Sequence, residues 1–282
     1  MRDWLGKIVA TVEVSASETR GANVIGGVEI KRALDSLRLA VRREFIRRVS
    51  DSLFLWELDK SLVIAKEGKE QGYQFGLFIN REVYPFIADI SPAFERILDS
   101  KSIWSQIITA ILPEDIQRRV DRAVEWISLA ITESSIDHKL VHLCTALEVL
   151  LLPDHNLGTK GEIIAFRQVL TGRSTYENPT AILNLYEQRG DIIHSGYLDI
   201  TTPYEYWYLL SCCLNVLRNI VQLSQENQQV FELKALLAIV ENEESLGEFI
   251  EDCEKGFHEG KGIKKIMEAA KERLERLKKE NA

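Results

Sequence analysis

Residues 136–153 read IDHKLVHLCTALEVLLLP, and the architecture of the chain follows from them. It is apolar along nearly its whole length, follows Ser134-Ser135 and stops at Pro153. A hydroxyl cap before it and a proline after it predict one helix. Glu148 is the exception inside it, a carboxylate expected to be half-buried among leucines. Working outward, the neighbours are helical too. Pro113 opens EDIQRRVDRAVEWISLAITES, residues 159–172 (TKGEIIAFRQVLTG) end at Gly172, and residues 178–196 read NPTAILNLYEQRGDIIHSG. Residues 203–229, PYEYWYLLSCCLNVLRNIVQLSQENQQ, predict a long and very apolar helix. Together these elements predict an all-α bundle over residues 111–229.

The chain before residue 110 mixes periods. Residues 7–16, KIVATVEVSA, alternate Ile8, Ala10, Val12 and Val14 on one side, as a strand does. Residues 28–49 space Leu34, Leu37, Val41 and Phe45 at helical intervals. Two short β-rich runs in residues 52–68 flank Asp59-Lys60 and suggest a hairpin, and residues 72–80, GYQFGLFIN, predict another strand. Ser91-Pro92 is a helix start. The expected class is therefore α+β: a mixed α/β domain at 1–110, the bundle at 111–229 and a helical C-terminal tail at 230–282. The last tail helix pairs Glu with Lys or Arg at i, i+4 and carries an apolar stripe of Ile263, Ile266, Met267, Ala270, Leu274 and Leu277. Such a helix packs on its own domain or on a partner.

The 282 residues carry a net charge of −8, which argues against coating nucleic acid through bulk charge. The charge is uneven. Residues 31–48 hold seven Lys or Arg against Asp35 and Glu44, whereas residues 241–259 hold eight acids against Lys255. No apolar run is long enough for a transmembrane helix, and residues 1–14 lack the apolar core and small-residue cleavage site of a signal peptide. Cys144, Cys212, Cys213 and Cys253 form no CxxC pair, so disulfide and zinc readings fail on spacing and a reducing cytoplasm fits. Neither the P-loop nor the dinucleotide glycine pattern is present, and there is no nucleophile elbow.

Chemistry concentrates in residues 186–197, YEQRGDIIHSGY. An arginine and a titratable imidazole, Arg189 and His194, end a helix just before Ser195-Gly196. The bland reading is a helix C-terminus, where cations meet the last carbonyls, worth about 0.3–1 kcal/mol. The sharp reading is a phosphate site. In a straight helix the two positions are rotated by roughly 140° from each other, so Arg189 has to reach around or the helix has to tighten after Gly190.

The ALEVLL stretch (Ala146, Leu147, Glu148, Leu150 and Leu151), followed by Tyr186, Arg189, His194 and Gly196, resembles the HEPN family (higher eukaryotes and prokaryotes nucleotide-binding), in its Apea-like branch. The resemblance is strong over residues 113–229, extends backward to residues 11–39, which are similar to the N-terminal part of such proteins, and does not cover the tail after 229. It implies a cytoplasmic, metal-independent endoribonuclease without cofactor, built where two protomers of a homodimer meet, and a role in phage defence or as a toxin-like effector. In that chemistry RNA supplies its own nucleophile, the 2′-hydroxyl. Arg189 would clamp the phosphate and His194 would act as general acid or base. Asp191 and Glu148 are the supporting residues: Asp191 lies between the pair, and Glu148 either pairs with Arg189 or faces solvent. RNA contacts are expected from Tyr186 and from Arg38, Arg42 and Arg43 of the basic stretch, which is otherwise a plain solvated face. In some HEPN toxins a tyrosine follows the histidine by two residues; here Tyr197 follows by three. The alternative is a catalytically silent HEPN module that binds nucleotide or RNA or that dimerises. A third reading is an adaptor whose tail binds a regulatory protein.

His138 and His142 share a helix face at metal-ligand spacing but lack a third ligand, so one capping and one packed histidine is the favoured reading. Tyr204, Tyr206, Trp207 and Tyr208 either stack bases or pack the core, and packing is favoured.

Overall fold

The structure, a computed structural model, describes residues 15, 19–46, 56–58, 77–79, 107, 111–133, 135–153, 160–172, 178–195 and 203–281. The chain divides into two units, Met1–Ile108 and Thr109–Ala282.

In the first unit, helix α1 (Thr19–Ile46) begins well before Val28 and runs through Gly26-Gly27. Leu39 is buried, and so is Asp35, whose carboxylate takes the Lys31 ammonium at 3.0 Å. The only strands among the described residues are β1 (Trp56–Leu58) and β2 (Leu77–Ile79), antiparallel with Trp56 opposite Ile79 and Leu58 opposite Leu77. This corrects the α+β expectation. A pair of three-residue strands has no face wide enough to bury a core, and the described chain is otherwise helical. The hairpin expected at Asp59-Lys60 lies outside the described residues; β1 pairs with residues 77–79, which fall inside the strand expected at 72–80. The physical reason is that short Val, Ile and aromatic runs have the composition of strands, whereas tertiary context decides whether they pair. Residues 7–16, apart from Ser15, and the Ser91-Pro92 helix start lie outside the described residues.

The second unit is built on eight described helices. Helix α2 (Glu114–Thr132) buries Ile116, Val120, Ala123, Val124, Ile127 and Ile131, a single stripe at helical spacing. Pro113 precedes it in extended conformation, where its missing N–H costs nothing. Helix α3 (Ile136–Leu151) is capped by Ser135, whose hydroxyl accepts from the His138 amide at 3.5 Å. Its Leu140, Leu143, Cys144, Leu147, Leu150 and Leu151 are fully buried, because α2 and three later helices surround it: α4 (Lys160–Gly172), α5 (Pro179–Ser195) and α6 (Pro203–Glu226). The free carbonyls at the end of α3 are met by arginines. Arg119 reaches Val149 O and Pro153 O at 3.5 and 3.4 Å, and Arg167 reaches Leu151 O at 2.6 Å.

Residues after 229 form α7 (Leu233–Val240), α8 (Glu243–Glu254) and α9 (Ile263–Glu280) and belong to the same unit. Asp115 of α2 accepts from the first amide of α7, Leu233 N, at 3.1 Å. Glu241, between α7 and α8, is buried to 1% exposure and takes two guanidiniums, Arg167 from α4 and Arg273 from α9, the latter at 3.1 Å. Before α9, Gly260 and Gly262 have φ of 129° and 97°, and their Cα atoms lie against Thr180 and Leu183 of α5. Among the described residues no helix is long and apolar enough to cross a membrane.

Candidate functional site

Helix α5 carries the site, and its start is well fixed. Asn178 Oδ1 accepts from the amides of Thr180 and Ala181 at 3.0 and 3.3 Å, and Pro179 occupies the first turn. Tyr208 of α6 clips onto the same cap: its hydroxyl accepts from Asn178 N at 2.9 Å and donates to Asn178 O at 3.1 Å. Helix α5 then runs as one uninterrupted α-helix through Gly190 to Ser195. The tightening after Gly190 that would bring Arg189 and His194 onto one face is therefore absent.

Tyr186 and Arg189, spaced i, i+3, face α3. There Cys144 and Glu148, spaced i, i+4, face back. The Tyr186 hydroxyl donates to Glu148 Oε1, and Arg189 Nη2 pairs with the same oxygen at 3.3 Å. The guanidinium also lies over the Tyr186 ring, 5.4 Å from its centroid. One carboxylate oxygen thus serves two donors. Arg189 Nε is sealed from solvent and makes no hydrogen bond. Arg189 Nη1 and Glu148 Oε2 make no hydrogen bond among the described residues, and neither is sealed from solvent. The side chains are 24% and 22% exposed, enough for a ligand to touch them.

Burial raises the pKa of the Tyr186 phenol, and its hydrogen bond to the Glu148 carboxylate raises it further, so the phenol remains a donor. Burial also pushes the Cys144 thiol up to about 12, against the pull of the Arg189 charge. Cys144 is therefore a packing residue, not a nucleophile.

His194 is on the other side of the helix. Its side chain is exposed and makes no hydrogen bond or ion pair among the described residues, beside the exposed Ile193. Asp191 is exposed as well; its backbone carbonyl accepts from Ser195 Oγ at 2.6 Å, and its carboxylate engages neither Arg189 nor His194. The fold thus brings Tyr186, Glu148 and Arg189 together and leaves His194 and Asp191 outside that group. Gly196 and Tyr197 lie outside the described residues, as do the side chains of Arg38, Arg42, Arg43 and Tyr204.

The remaining candidates have structural partners. His138 Nδ1 lies 3.7 Å from Glu133 Oε2, and His142 packs on Trp126 with ring centroids 5.4 Å apart. Tyr206 is buried beneath the Lys139 ammonium, 4.9 Å from its ring centroid, and Trp207 packs against it at 5.0 Å. No group of three His, Cys, Asp or Glu among the described residues is arranged to hold a metal ion.

What the sequence reading missed is the Tyr186–Glu148 bond, which turns a conjectured RNA contact into an anchor for Arg189. The only signal for it was a lone carboxylate in a leucine-rich helix. Comparisons with family models, with curated proteins and with solved structures find no match to this chain.

Proposed function

We propose that this chain is a metal-independent endoribonuclease of HEPN type, with Arg189 as the phosphate clamp, His194 as general acid or base, and the site completed by a second copy of the chain. The observation that carries the reading is the division of labour along α5. Arg189 is held against α3 by Glu148 and Tyr186 with Nη1 left open, and His194 stands free at the exposed end of the same helix. RNA cleavage through the 2′-hydroxyl needs a fixed cation for the phosphorane charge and a mobile proton carrier. Because the two groups leave the helix on different sides, one protomer does not supply both to one phosphate. Two helix ends related by a twofold axis place an imidazole from one copy beside a guanidinium from the other.

A second reading is favoured by one observation: Arg189 already has a carboxylate partner in its own chain. That suits a non-catalytic module in which the pair is structural. One assay separates the two. RNA is incubated with the chain in the presence of a chelator, with and without His194→Ala. The enzyme reading expects cleavage by the unsubstituted chain and a loss of about 10²–10⁴-fold in the variant, the usual worth of a general acid–base group. Equal behaviour of the two, or activity that the chelator abolishes, contradicts it.

A further inference from the structure

We propose that Glu148 and Arg189 act as one recognition unit for a hydroxyl beside a phosphate, and that Glu148 thereby distinguishes RNA from DNA at this site. The proposal rests on RNA being the ligand and concerns how it is told apart.

The geometry has three parts. First, the closest approach of the ion pair is Arg189 Nη2 to Glu148 Oε1, while a donor, Nη1, and an acceptor, Oε2, on the same side chains make no hydrogen bond among the described residues and are not sealed from solvent. Second, the carboxylate is not free to swing away, because Oε1 also accepts from Tyr186, whose phenol keeps its proton. Third, the pair is electrically neutral as it stands. A bare oxyanion arriving at Nη1 meets the Glu148 charge beside it and is repelled. A ligand that offers a hydrogen-bond donor to Oε2 and an oxyanion to Nη1 satisfies both groups. A ribose 2′-hydroxyl adjacent to its phosphate is such a ligand, and a deoxyribose is not.

Glutamine at position 148 reverses this logic. Tyr186 and Arg189 both need an acceptor where Oε1 stands, so the amide oxygen takes that place and the amino group turns to the open side. The acceptor for the 2′-hydroxyl is lost, and so is the repulsion felt by a bare phosphate.

The test is direct binding. Fluorescently labelled single-stranded RNA and DNA of one sequence are titrated by anisotropy against the full chain carrying His194→Ala, which keeps the RNA intact. The parent is expected to bind RNA about tenfold more tightly than DNA, the size of one hydrogen bond to a charged group. Glu148→Gln is expected to bring the ratio close to one, chiefly by tightening DNA. Tyr186→Phe keeps the charge and frees the carboxylate, so it lowers the ratio partway; it also carries the test if the glutamine variant fails to fold. Absence of a ribose preference in the parent, or a preference unchanged in both folded variants, overturns the proposal. Cleavage by the unsubstituted chain is scored separately. Cleavage without a ribose preference sinks the recognition unit, whereas preference without cleavage sinks the enzyme and leaves the recognition unit standing.

Discussion

Arg189 owes its place to two contacts, a carboxylate oxygen and an aromatic face, and its Nε–H is sealed from solvent without a hydrogen-bond partner. The residue beside it has no such constraint. A Cβ built on Gly190 meets nothing within 4 Å, and its backbone is ordinary helix. Gly190→Ala is therefore expected to stabilise the fold by about 0.5–1 kcal/mol, the usual cost of glycine in a helix interior. Chemical denaturation checks this; destabilisation would mean that the glycine serves a close approach absent from this structure. The Arg189–His194 spacing was legible in the sequence, and so was the conflict between their faces, since both follow from the helical repeat. The pairing of Arg189 with Glu148 was legible only as one of two alternatives, and the structure shows it. Glu148 is far away in the chain, and an isolated carboxylate on an apolar helix reads equally well as solvated or paired until the neighbouring helix is placed.

The helices of the second unit are joined by two devices that explain why residues after 229 pack on the bundle. Glu241 is buried between two arginines from α4 and α9, and the glycine-rich turn before α9 lies against α5. Glu241→Ala leaves Arg167 buried without its counter-charge and is expected to cost about 3–5 kcal/mol in unfolding free energy. Gly262→Ala puts a methyl 2.7 Å from Leu183 Cδ2 at a φ of 97°, so a loss of about 1–3 kcal/mol is expected from the same measurement. A neutral result at either position would detach the last three helices from the stability of the bundle. At this scale the helix pattern was legible because buried stripes such as Ile116, Val120 and Ile127 recur at helical spacing. Both described strands fall inside runs that the sequence marks as β-rich, but which strand pairs with which was not legible. Alternation over a few residues is a weak signal, and the described pairing joins residues 56–58 to 77–79 across a long connection that no local turn announces.

For the second unit as a whole, stability should depend on pH through its packed histidines. Burial lowers the pKa of His142, against Trp126, and of His258, against Phe249, below the ordinary 6.5. Both groups bind a proton more readily when unfolded. Their contribution is therefore complete above pH 6.5 and is lost as pH falls through that value toward the folded-state pKa. His142→Gln should flatten that part of the stability curve, as read by thermal midpoints across the range; an unchanged slope would show that the imidazole titrates alike in both states.

In the proposed reaction RNA acts as its own nucleophile under a guanidinium and an imidazole, and the ends of the product report that chemistry. RNA treated with the full chain in chelator should carry 2′,3′-cyclic phosphate on one fragment and 5′-hydroxyl on the other. Fragments bearing 5′-phosphate and 3′-hydroxyl, or RNA left intact, would contradict it.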